Sequence, residues 1–255
     1  MGPDGRIPST RSPAPTRRQR LWGWFLDYVY LVRWTARGLV GRQHPERLLE
    51  PATGSRSPVL LIPGVFENWR FLQPVADHLF DHGHPVHVVV ELGYNTGAIS
   101  DMAFIVSQYI ERTDLSEVTL VAHSKGGLIA KQALSHPGTL SRVRHVIAIN
   151  TPFSGSRYAS LFLLRSVRMF APNGRVIRAL SLDIAVNRRI SSLYSVFDPH
   201  IPETSHLMGA ENIVLPTVGH FRPLAAPDSL SLITAIIERP SSGDEPWAPG
   251  GAGAS

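Results

Sequence analysis

Short apolar runs alternate with stretches of helical periodicity from about residue 58 to residue 237. The runs are rich in valine, isoleucine and leucine, which is typical of strands buried on both faces of a sheet. They lie at residues 58–62, 86–92, 118–122, 143–149, 192–197 and 212–218. Apolar residues recur at intervals of three and four at residues 69–80, 99–110, 128–134 and 224–237. The alternation predicts an α/β fold, with a mostly parallel sheet covered by helices on both faces.

The longest interval between two predicted strands runs from about residue 150 to residue 192. A simple crossover between parallel strands needs far fewer residues, about a dozen or more. Two helical patterns, at 159–170 and 176–186, lie in this interval. We therefore predict a helical lid at about residues 154–190, which would exclude water from the site that it covers.

Both ends of the chain differ in composition from the domain predicted at residues 51–239. Residues 1–20 are rich in proline, arginine, serine and threonine, and residues 240–255 in glycine, proline, serine and alanine. We predict that both segments are disordered. Residues 21–50 begin with an apolar stretch that contains several tryptophans and tyrosines. This stretch predicts an amphipathic helix that lies at a membrane interface, packs on the domain or pairs with another subunit.

Positive charge is concentrated near the amino terminus. Residues 1–47 contain nine arginines and three acidic residues, a balance of +6, whereas the whole chain carries +5. A basic segment suits an anionic surface, and it is also typical of a solvated arm. The apolar residues from 21 to 32 are too few to span a bilayer. We expect a location in the cytoplasm or at a membrane surface, with contact through this arm and the lid, and leave export open.

A serine lies at the apex of a predicted strand, turn and helix. Residues 118–129 read Val-Thr-Leu-Val-Ala-His-Ser-Lys-Gly-Gly-Leu-Ile. The small residues Ala122 and Gly126 flank Ser124, and such a turn holds the serine hydroxyl above the carboxyl edge of a sheet. The ring of His123 should point away from that hydroxyl. We interpret Ser124 as a nucleophile in acyl chemistry, and the alternative is a structural turn with an inert serine.

A serine nucleophile needs a base, and the base needs an acid that orients it. Asp198 directly follows the strand predicted at 192–197, and His220 follows the strand predicted at 212–218. Since ligands bind outside the carboxyl ends of strands in open α/β sheets, we predict Asp198 as the acid and His220 as the base. The alternatives are Asp183 and Asp228 for the acid, and His200 and His206 for the base.

Two backbone N–H groups must stabilise the negative charge that develops on the substrate oxygen. One belongs to the residue after the nucleophile, which is Lys125. The other is expected in the Pro-Gly-Val-Phe loop after the first strand, where Gly64 permits an unusual turn. We choose Val65 as this oxyanion-hole donor and keep Phe66 as the alternative.

Five segments together resemble the α/β-hydrolase superfamily and, within it, small bacterial triacylglycerol lipases and esterases. The resemblance spans about residues 58–238 and implies the α/β-hydrolase fold and the triad and oxyanion roles given above. Two positions depart from the family, which usually has histidine at Pro63 and glycine at Ala122. The segments are Leu-Leu-Ile-Pro-Gly-Val at 60–65, Ala-His-Ser-Lys-Gly-Gly at 122–127, Asn-Thr-Pro-Phe-Ser-Gly-Ser at 150–156, Phe-Asp-Pro-His-Ile-Pro at 197–202 and Val-Gly-His-Phe at 218–221.

The composition and the spacing of histidines and glycines exclude several kinds of site. The chain has no cysteine, which excludes disulfides, thiolate metal sites and a cysteine nucleophile. His78, His82, His84 and His87 lack the spacing of a metal site, and the sequence has no phosphate-binding or dinucleotide-binding loop. We therefore predict no metal and no cofactor.

These features predict a serine hydrolase that cleaves carboxylic esters through a Ser-His-Asp triad and an acyl-enzyme intermediate. We expect a small-molecule or lipid ester as substrate and no nucleic-acid partner. An acyltransferase, a thioesterase or an amidase would use the same triad. A membrane-associated binding protein on a hydrolase scaffold, without catalysis, is an alternative of a different class.

Overall fold

The computed structural model describes residues 15–39, 44–51, 56–161, 168, 170–172 and 174–240. The predictions of disorder at 1–14 and 241–255 lie outside these residues, as does most of the lid helix predicted at 159–170. The described residues form a six-stranded sheet with helices on both faces. The predicted α/β architecture is therefore confirmed.

All strands of the sheet run parallel. They are β1 (Val59–Ile62), β2 (Val86–Val88), β3 (Val118–His123), β4 (Val143–Ile149), β5 (Ile190–Phe197) and β6 (Glu211–Val218). Their order across the sheet is β2-β1-β3-β4-β5-β6. The strand predicted at 86–92 ends early, because the chain turns into a 3-10 helix at Val90–Leu92. Since the strands are parallel, their carboxyl ends share one edge, where ligands bind in such sheets.

The helices of the described part also follow the predicted order. They are α1 (Arg17–Leu39), α2 (Gln73–Asp81), α3 (Ile99–Arg112), α4 (Lys125–Ala133), α5 (Pro137–Arg142), α6 (Arg175–Leu182) and α7 (Pro227–Ile237). Short 3-10 helices precede α2 at Trp69–Leu72 and α7 at Arg222–Leu224. α5 was not predicted, because a helix of six residues is too short for a periodic pattern.

Two apolar cores, one on each face of the sheet, hold the layers together. Residues of α3, α4 and α6 lie in the first core, and residues of α1, α2 and α7 lie in the second. Successive residues of a strand point to opposite faces. In β3, Leu120 belongs to the first core and Val121 to the second. β1, β3, β4 and β5 each supply residues to both cores, whereas the core residues of β2 and β6 belong to the second core.

α1 begins at Arg17, inside the stretch 1–20 that the composition predicted to be disordered. Thr16 and Gln19 form a capping box at its start. The Gln19 N–H donates to Thr16 Oγ1 (3.3 Å), and the Thr16 N–H donates to Gln19 Oε1 (2.8 Å). These bonds satisfy N–H groups that a helix start otherwise leaves unpaired. The prediction of disorder is therefore corrected for residues 17–20, which are helical.

One face of α1 packs on the domain. Asp27 and Tyr30 are buried there, and the Tyr30 hydroxyl donates to the Phe71 carbonyl (2.6 Å). Gly23 allows the close approach, since a Cβ at this position would overlap the side chain of Val218. Packing on the domain, one of the roles predicted for the helix in residues 21–50, thus holds for this inner face. Every helix in the described ranges is too short or too polar to cross a membrane.

The predicted lid is described in part. Its second helical pattern, at 176–186, corresponds to α6 followed by a 3-10 helix at Ala185–Arg189. Ile177 and Leu180 on α6 are buried in the first core, whereas Leu182 is exposed. The described half of the segment is therefore packed on the domain, and its role as a lid stays a prediction.

Candidate active site

The turn after β3 holds Ser124 in a backbone conformation that few residues adopt. Its φ is 50° and its ψ is −119°, a strain that costs about 1–3 kcal/mol in a residue other than glycine. The Ser124 N–H donates to the Ile149 carbonyl on β4 (2.9 Å), and the Ser124 carbonyl accepts from the Gly127 N–H (3.1 Å). The neighbouring strand and the first turn of α4 therefore hold the strained serine at the apex of the turn.

Two glycines allow α4 to approach the sheet closely. A Cβ on Gly126 would overlap the backbone of Ile62 at the end of β1, and a Cβ on Gly127 would overlap the side chain of Thr151. The obstacle at Gly126 is backbone, so it cannot move aside as a flexible side chain would. This close approach brings the start of α4 against the loop after β1, which carries the predicted oxyanion-hole donor.

Asp198 and His220 are hydrogen-bonded at the carboxyl edge of the sheet. Asp198 Oδ2 lies 2.7 Å from His220 Nδ1, and both side chains are 6% exposed. Asp198 directly follows β5, and His220 lies two residues after the end of β6. The other carboxylate oxygen, Asp198 Oδ1, accepts the N–H groups of His200 (2.8 Å) and Ile201 (3.2 Å). The carboxylate is therefore fixed from its own loop as well as from the histidine.

The charges and hydrogen bonds around Asp198 and His220 together shift the pKa values of the two groups more than burial does. Burial by itself raises the pKa of Asp198 and lowers the pKa of His220. Their mutual attraction and hydrogen bond act in the opposite direction, so the pKa of Asp198 lies below its usual value and the pKa of His220 lies above it. Asp198 is thus ionised at neutral pH and holds a proton on His220 Nδ1. This leaves His220 Nε2 as the nitrogen that can accept a proton.

His220 is connected to the residue beside Ser124. His123 Nε2 lies 3.1 Å from the His220 carbonyl oxygen, and the centroids of the two rings are 4.8 Å apart. Among the described residues, the hydrogen bonds of His220 include none to Ser124 Oγ. Such serine–histidine contacts are often long in free enzymes and shorten in the substrate complex. The structure thus brings the three predicted residues to one edge of the sheet and joins Asp198 to His220 by a hydrogen bond.

The amides of Val65 and Lys125 have no hydrogen-bond acceptor among the residues that the structure describes, and neither has the amide of Phe66. The Gly64 N–H, in contrast, donates to Glu67 Oε2 (2.7 Å). Val65 and Phe66 therefore both keep an N–H group that an oxyanion could bind, and Lys125 supplies the second one at the start of α4.

The buried side chain of Lys125 ties the serine turn to a neighbouring loop. Lys125 Nζ donates to the carbonyls of Asn95 (2.7 Å) and Gly97 (2.6 Å), and burial lowers its pKa to about 8. Asn95 Nδ2 in turn donates to the Pro63 carbonyl (2.7 Å). Hydrogen bonds thus connect the two loops that carry the candidate oxyanion-hole amides.

Sequence analysis missed a buried pair, Glu67 and His123, that joins the loop after β1 to the loop of His220. Both oxygens of Glu67 lie 2.9 Å from His123 Nδ1, while Glu67 Oε2 also accepts the Gly64 N–H. His123 Nε2 reaches the His220 carbonyl. The ring of His123 is therefore used for these contacts, in agreement with its predicted orientation. The signal in the sequence was a glutamate in an apolar and aromatic loop.

The alternative acids and bases do not form a comparable pair. Asp183 lies at the end of α6, Asp228 is exposed in the first turn of α7, and His206 is exposed. His200 is close to the site, since its ring stacks on that of His220 with centroids 4.9 Å apart. Burial lowers the pKa of His200 to about 4, which makes it a weak base.

A second group of serine, histidine and carboxylate lies near the opposite edge of the sheet. His145 Nε2 is 2.8 Å from Ser191 Oγ, and the Ser191 hydroxyl donates to Glu211 Oε2 (2.6 Å). In a catalytic triad the carboxylate binds the histidine, whereas here the serine lies between the other two. Ser191 is fully buried, and burial lowers the pKa of His145 to about 4. We therefore assign this group to contacts that stabilise β4, β5 and β6.

The histidines at 78–87 face different partners. His78 Nε2 contacts Thr234 Oγ1 (2.9 Å), and His87 Nδ1 contacts the Tyr109 hydroxyl (3.2 Å). Among the residues that the structure describes, no three side chains of the metal-binding types are grouped to hold an ion.

Comparisons with known proteins point to one fold. The sequence model of the PGAP1-like alpha/beta domain family matches residues 92–162, which include α3, β3, the Ser124 turn and β4. Among curated protein sequences, none matches the chain.

Solved structures with a similar fold include lipases and a carboxylesterase. Mature lipase BlEst2 of Bacillus licheniformis has a TM-score of 0.57 and 14% identity, covering 78% of this chain and 96% of the lipase. Lipase B of Aspergillus fumigatus has a TM-score of 0.59 and 19% identity, covering 96% of this chain and 64% of the lipase. A carboxylesterase of the thaumarchaeon Nitrososphaera gargenis has a TM-score of 0.53 and 15% identity, covering 71% of this chain and 90% of the esterase. At these identities the likeness shows the fold, and this chain has the α/β-hydrolase fold.

Proposed function

We propose that this chain is a serine hydrolase that cleaves carboxylic esters, with Ser124 as nucleophile, His220 as base and Asp198 as the acid that orients His220. The observation that supports the proposal most directly is the 2.7 Å hydrogen bond between Asp198 and His220, at the same sheet edge as the strained Ser124. The structural neighbours include a lipase of Bacillus licheniformis and a carboxylesterase of Nitrososphaera gargenis, which favours an ester over other acyl substrates.

In the proposed reaction, Ser124 Oγ attacks the ester carbonyl carbon while His220 Nε2 takes the hydroxyl proton. The oxyanion of the tetrahedral intermediate accepts the N–H groups of Val65 and Lys125. The bond to the alcohol oxygen then breaks, and His220 gives its proton to that oxygen. Water, deprotonated by His220, attacks the resulting acyl-enzyme, and the carboxylic acid leaves as Ser124 regains its proton.

The test combines a covalent probe with a series of esters. We expect a fluorophosphonate to add to the wild-type chain once, with the adduct on the peptide that contains Ser124, and p-nitrophenyl esters from acetate to palmitate to be hydrolysed. A maximum at short acyl chains would identify an esterase, and a maximum at long chains would identify a lipase. A faster reaction with matched thioesters or anilides would favour the thioesterase or the amidase. If the wild-type chain is not labelled and hydrolyses none of these compounds, the proposal is contradicted. That result would favour a non-catalytic binding protein.

We also propose that the outer face of α1 binds an anionic membrane surface. The side chains of this face are 47–67% exposed. The acidic residue of α1, Asp27, is buried on the inner face, so the surface of the helix carries positive charge only. An apolar face with aromatic residues and flanking arginines suits the boundary of anionic lipid headgroups. The outer face comprises Leu21, Trp22, Phe25, Val29 and Val32, and the exposed arginines of the helix are Arg17, Arg18, Arg20, Arg33 and Arg37.

Vesicle sedimentation tests this surface. We expect the chain to bind vesicles of phosphatidylcholine with 30 mol% phosphatidylglycerol, and to bind pure phosphatidylcholine weakly. The double variant Phe25→Ser, Val32→Ser should lower the partition coefficient about tenfold or more, because two apolar side chains no longer enter the interface. The matched control is Phe104→Ser, Val90→Ser, which removes an exposed phenylalanine and valine elsewhere and should bind as the wild type does. Equal binding by both variants, or a dimer that only the α1 variant loses, would overturn the proposal.

A further inference from the structure

The buried carboxylate of Asp27 binds three consecutive backbone N–H groups of the loop that carries His220. Asp27 Oδ2 accepts from His220 (2.8 Å), and Asp27 Oδ1 accepts from Phe221 (2.7 Å) and Arg222 (2.9 Å). The side chain is fully buried, and its burial raises the pKa of Asp27. No cation forms an ion pair with Asp27 within the described residues. The three N–H groups are thus the direct partners of this carboxylate.

The backbone around His220 is shaped to receive this carboxylate. Gly219 has a φ of +123°, and a Cβ at this position would lie 2.5 Å from Asp27 Oδ1. On the opposite side of the peptide, the His220 carbonyl accepts from Asn150 Nδ2 (2.8 Å) and from His123 Nε2 (3.1 Å). Buried side chains from three parts of the chain therefore fix the N–H and the C=O of His220. Only the side-chain torsions of His220 are left free by these backbone contacts, and the hydrogen bond between Asp198 and Nδ1 fixes the orientation of the ring.

From these contacts we infer that Asp27 is a positioning residue for His220, which makes α1 a working part of the site; the inference rests on the function proposed above. Asp27 acts through the loop and does not touch the substrate. Asp27 fixes the position of the His220 backbone, and this position determines where the ring lies relative to Asp198 and Ser124. A displacement of about 1 Å at such a point can lower a rate about a hundredfold, because the reacting groups no longer align.

The negative charge of Asp27 also acts on His220. Burial lowers the pKa of His220, and the surrounding carboxylates raise it by more. Removing one of these charges therefore lowers the pKa of His220. Since the base works only when it is neutral, the acidic limb of the rate profile then moves to lower pH. The titratable groups that face His220 are Asp198, Asp27, Glu67, His123 and His200.

The experiment compares Asp27→Asn with Tyr30→Phe in the full chain. Both substitutions remove buried hydrogen bonds between α1 and the domain, but only Asp27 contacts the His220 loop. We expect Asp27→Asn to lower kcat per titrated active site about 10- to 100-fold, with little change in KM, and to move the acidic limb to lower pH. Tyr30→Phe should lower the free energy of unfolding and leave kcat and the pH profile as in the wild type. Asp27→Glu should restore part of the rate.

Counting active sites with the fluorophosphonate separates slower sites from fewer folded molecules. If Asp27→Asn stays within twofold of the wild type per active site, or if Tyr30→Phe shows the same losses, Asp27 only anchors the helix and the inference fails. A second readout needs no substrate. In ¹⁵N-histidine spectra, the ring of His220 should titrate at lower pH in Asp27→Asn than in the wild type, and an unchanged titration would also overturn the inference. A wild type without any hydrolysis would refute the proposed function instead.

Discussion

Replacing Ser124 with alanine should lower kcat for p-nitrophenyl esters by about 10⁵- to 10⁶-fold and abolish fluorophosphonate labelling. The substitution removes the oxygen that forms the acyl bond in the proposed reaction, and it keeps the Cβ and hence the strained backbone at a φ of 50°. We expect an unchanged circular dichroism spectrum, because Ser124 Oγ is not needed for any of the contacts that hold the turn. A variant that hydrolyses esters as fast as the wild type would reject the mechanism.

Replacing Ser124 with glycine is the matched control for the strain in this turn. Glycine adopts a positive φ readily, so Ser124→Gly should be as inactive as Ser124→Ala but more stable to urea, by about 1 kcal/mol. The comparison separates two properties of one position, the nucleophilic hydroxyl and the strained backbone that presents it. If the alanine variant were the more stable of the two, the turn would not be strained in the way that the dihedral angles indicate.

The central strands of the sheet could be predicted from sequence because they are buried on both faces, as in β1 and β3. Such strands are mostly apolar in sequence, and β4 was predicted with the bounds that the structure has, Val143–Ile149. The order along the chain then placed Asp198 and His220 after β5 and β6. A parallel sheet brings the carboxyl ends of these strands to one edge. The apolar pattern of the strands therefore predicted that two residues 22 positions apart in sequence lie close together.

The partners of the His220 loop could not be predicted in the same way. Asp27 is 193 residues away in sequence from His220, and nothing in the pattern of residues 21–32 indicates which face of α1 would be buried. In sequence the aspartate only interrupts an apolar stretch. The structure shows that the interruption marks the inner face. A single acidic residue in an otherwise apolar helix is therefore a candidate for a buried carboxylate with backbone partners.

The contacts of Glu67 could not be predicted from sequence for a second reason. Its contacts are partly local, since it accepts the N–H of Gly64 three residues earlier. Its bond to His123 depends on β1 and β3 being neighbours in the sheet. The strand order was not predicted, so the pair could not be either. The start of α1 is a different case, because the Thr16–Gln19 capping box is a local signal that composition alone concealed.

Replacing Asp198 with asparagine should lower kcat by about 10³- to 10⁴-fold while the fold is retained. The amide has the same shape and can still accept the N–H groups of His200 and Ile201 with its oxygen. Its NH₂ group then faces His220 Nδ1, which must become an acceptor. The proton of the neutral ring moves to Nε2, so this nitrogen can no longer act as the base. The rate falls because of the wrong tautomer and not because of lost packing.

The pH dependence gives an independent check of the same pair. Asp198 raises the pKa of His220, so in the wild type kcat/KM should rise with pH through a midpoint above the usual value of about 6.5. In Asp198→Asn the carboxylate that raises the pKa of His220 is absent, while burial still lowers this pKa. The midpoint of the profile should therefore move to lower pH. The matched control is Asp183→Asn, which changes an alternative acid that lies outside the site and should leave both kcat and the midpoint unchanged. If Asp183→Asn instead caused the large loss and Asp198→Asn did not, the hydrogen bond of 2.7 Å between Asp198 and His220 would be structural, and the acid of the site would have to be assigned again.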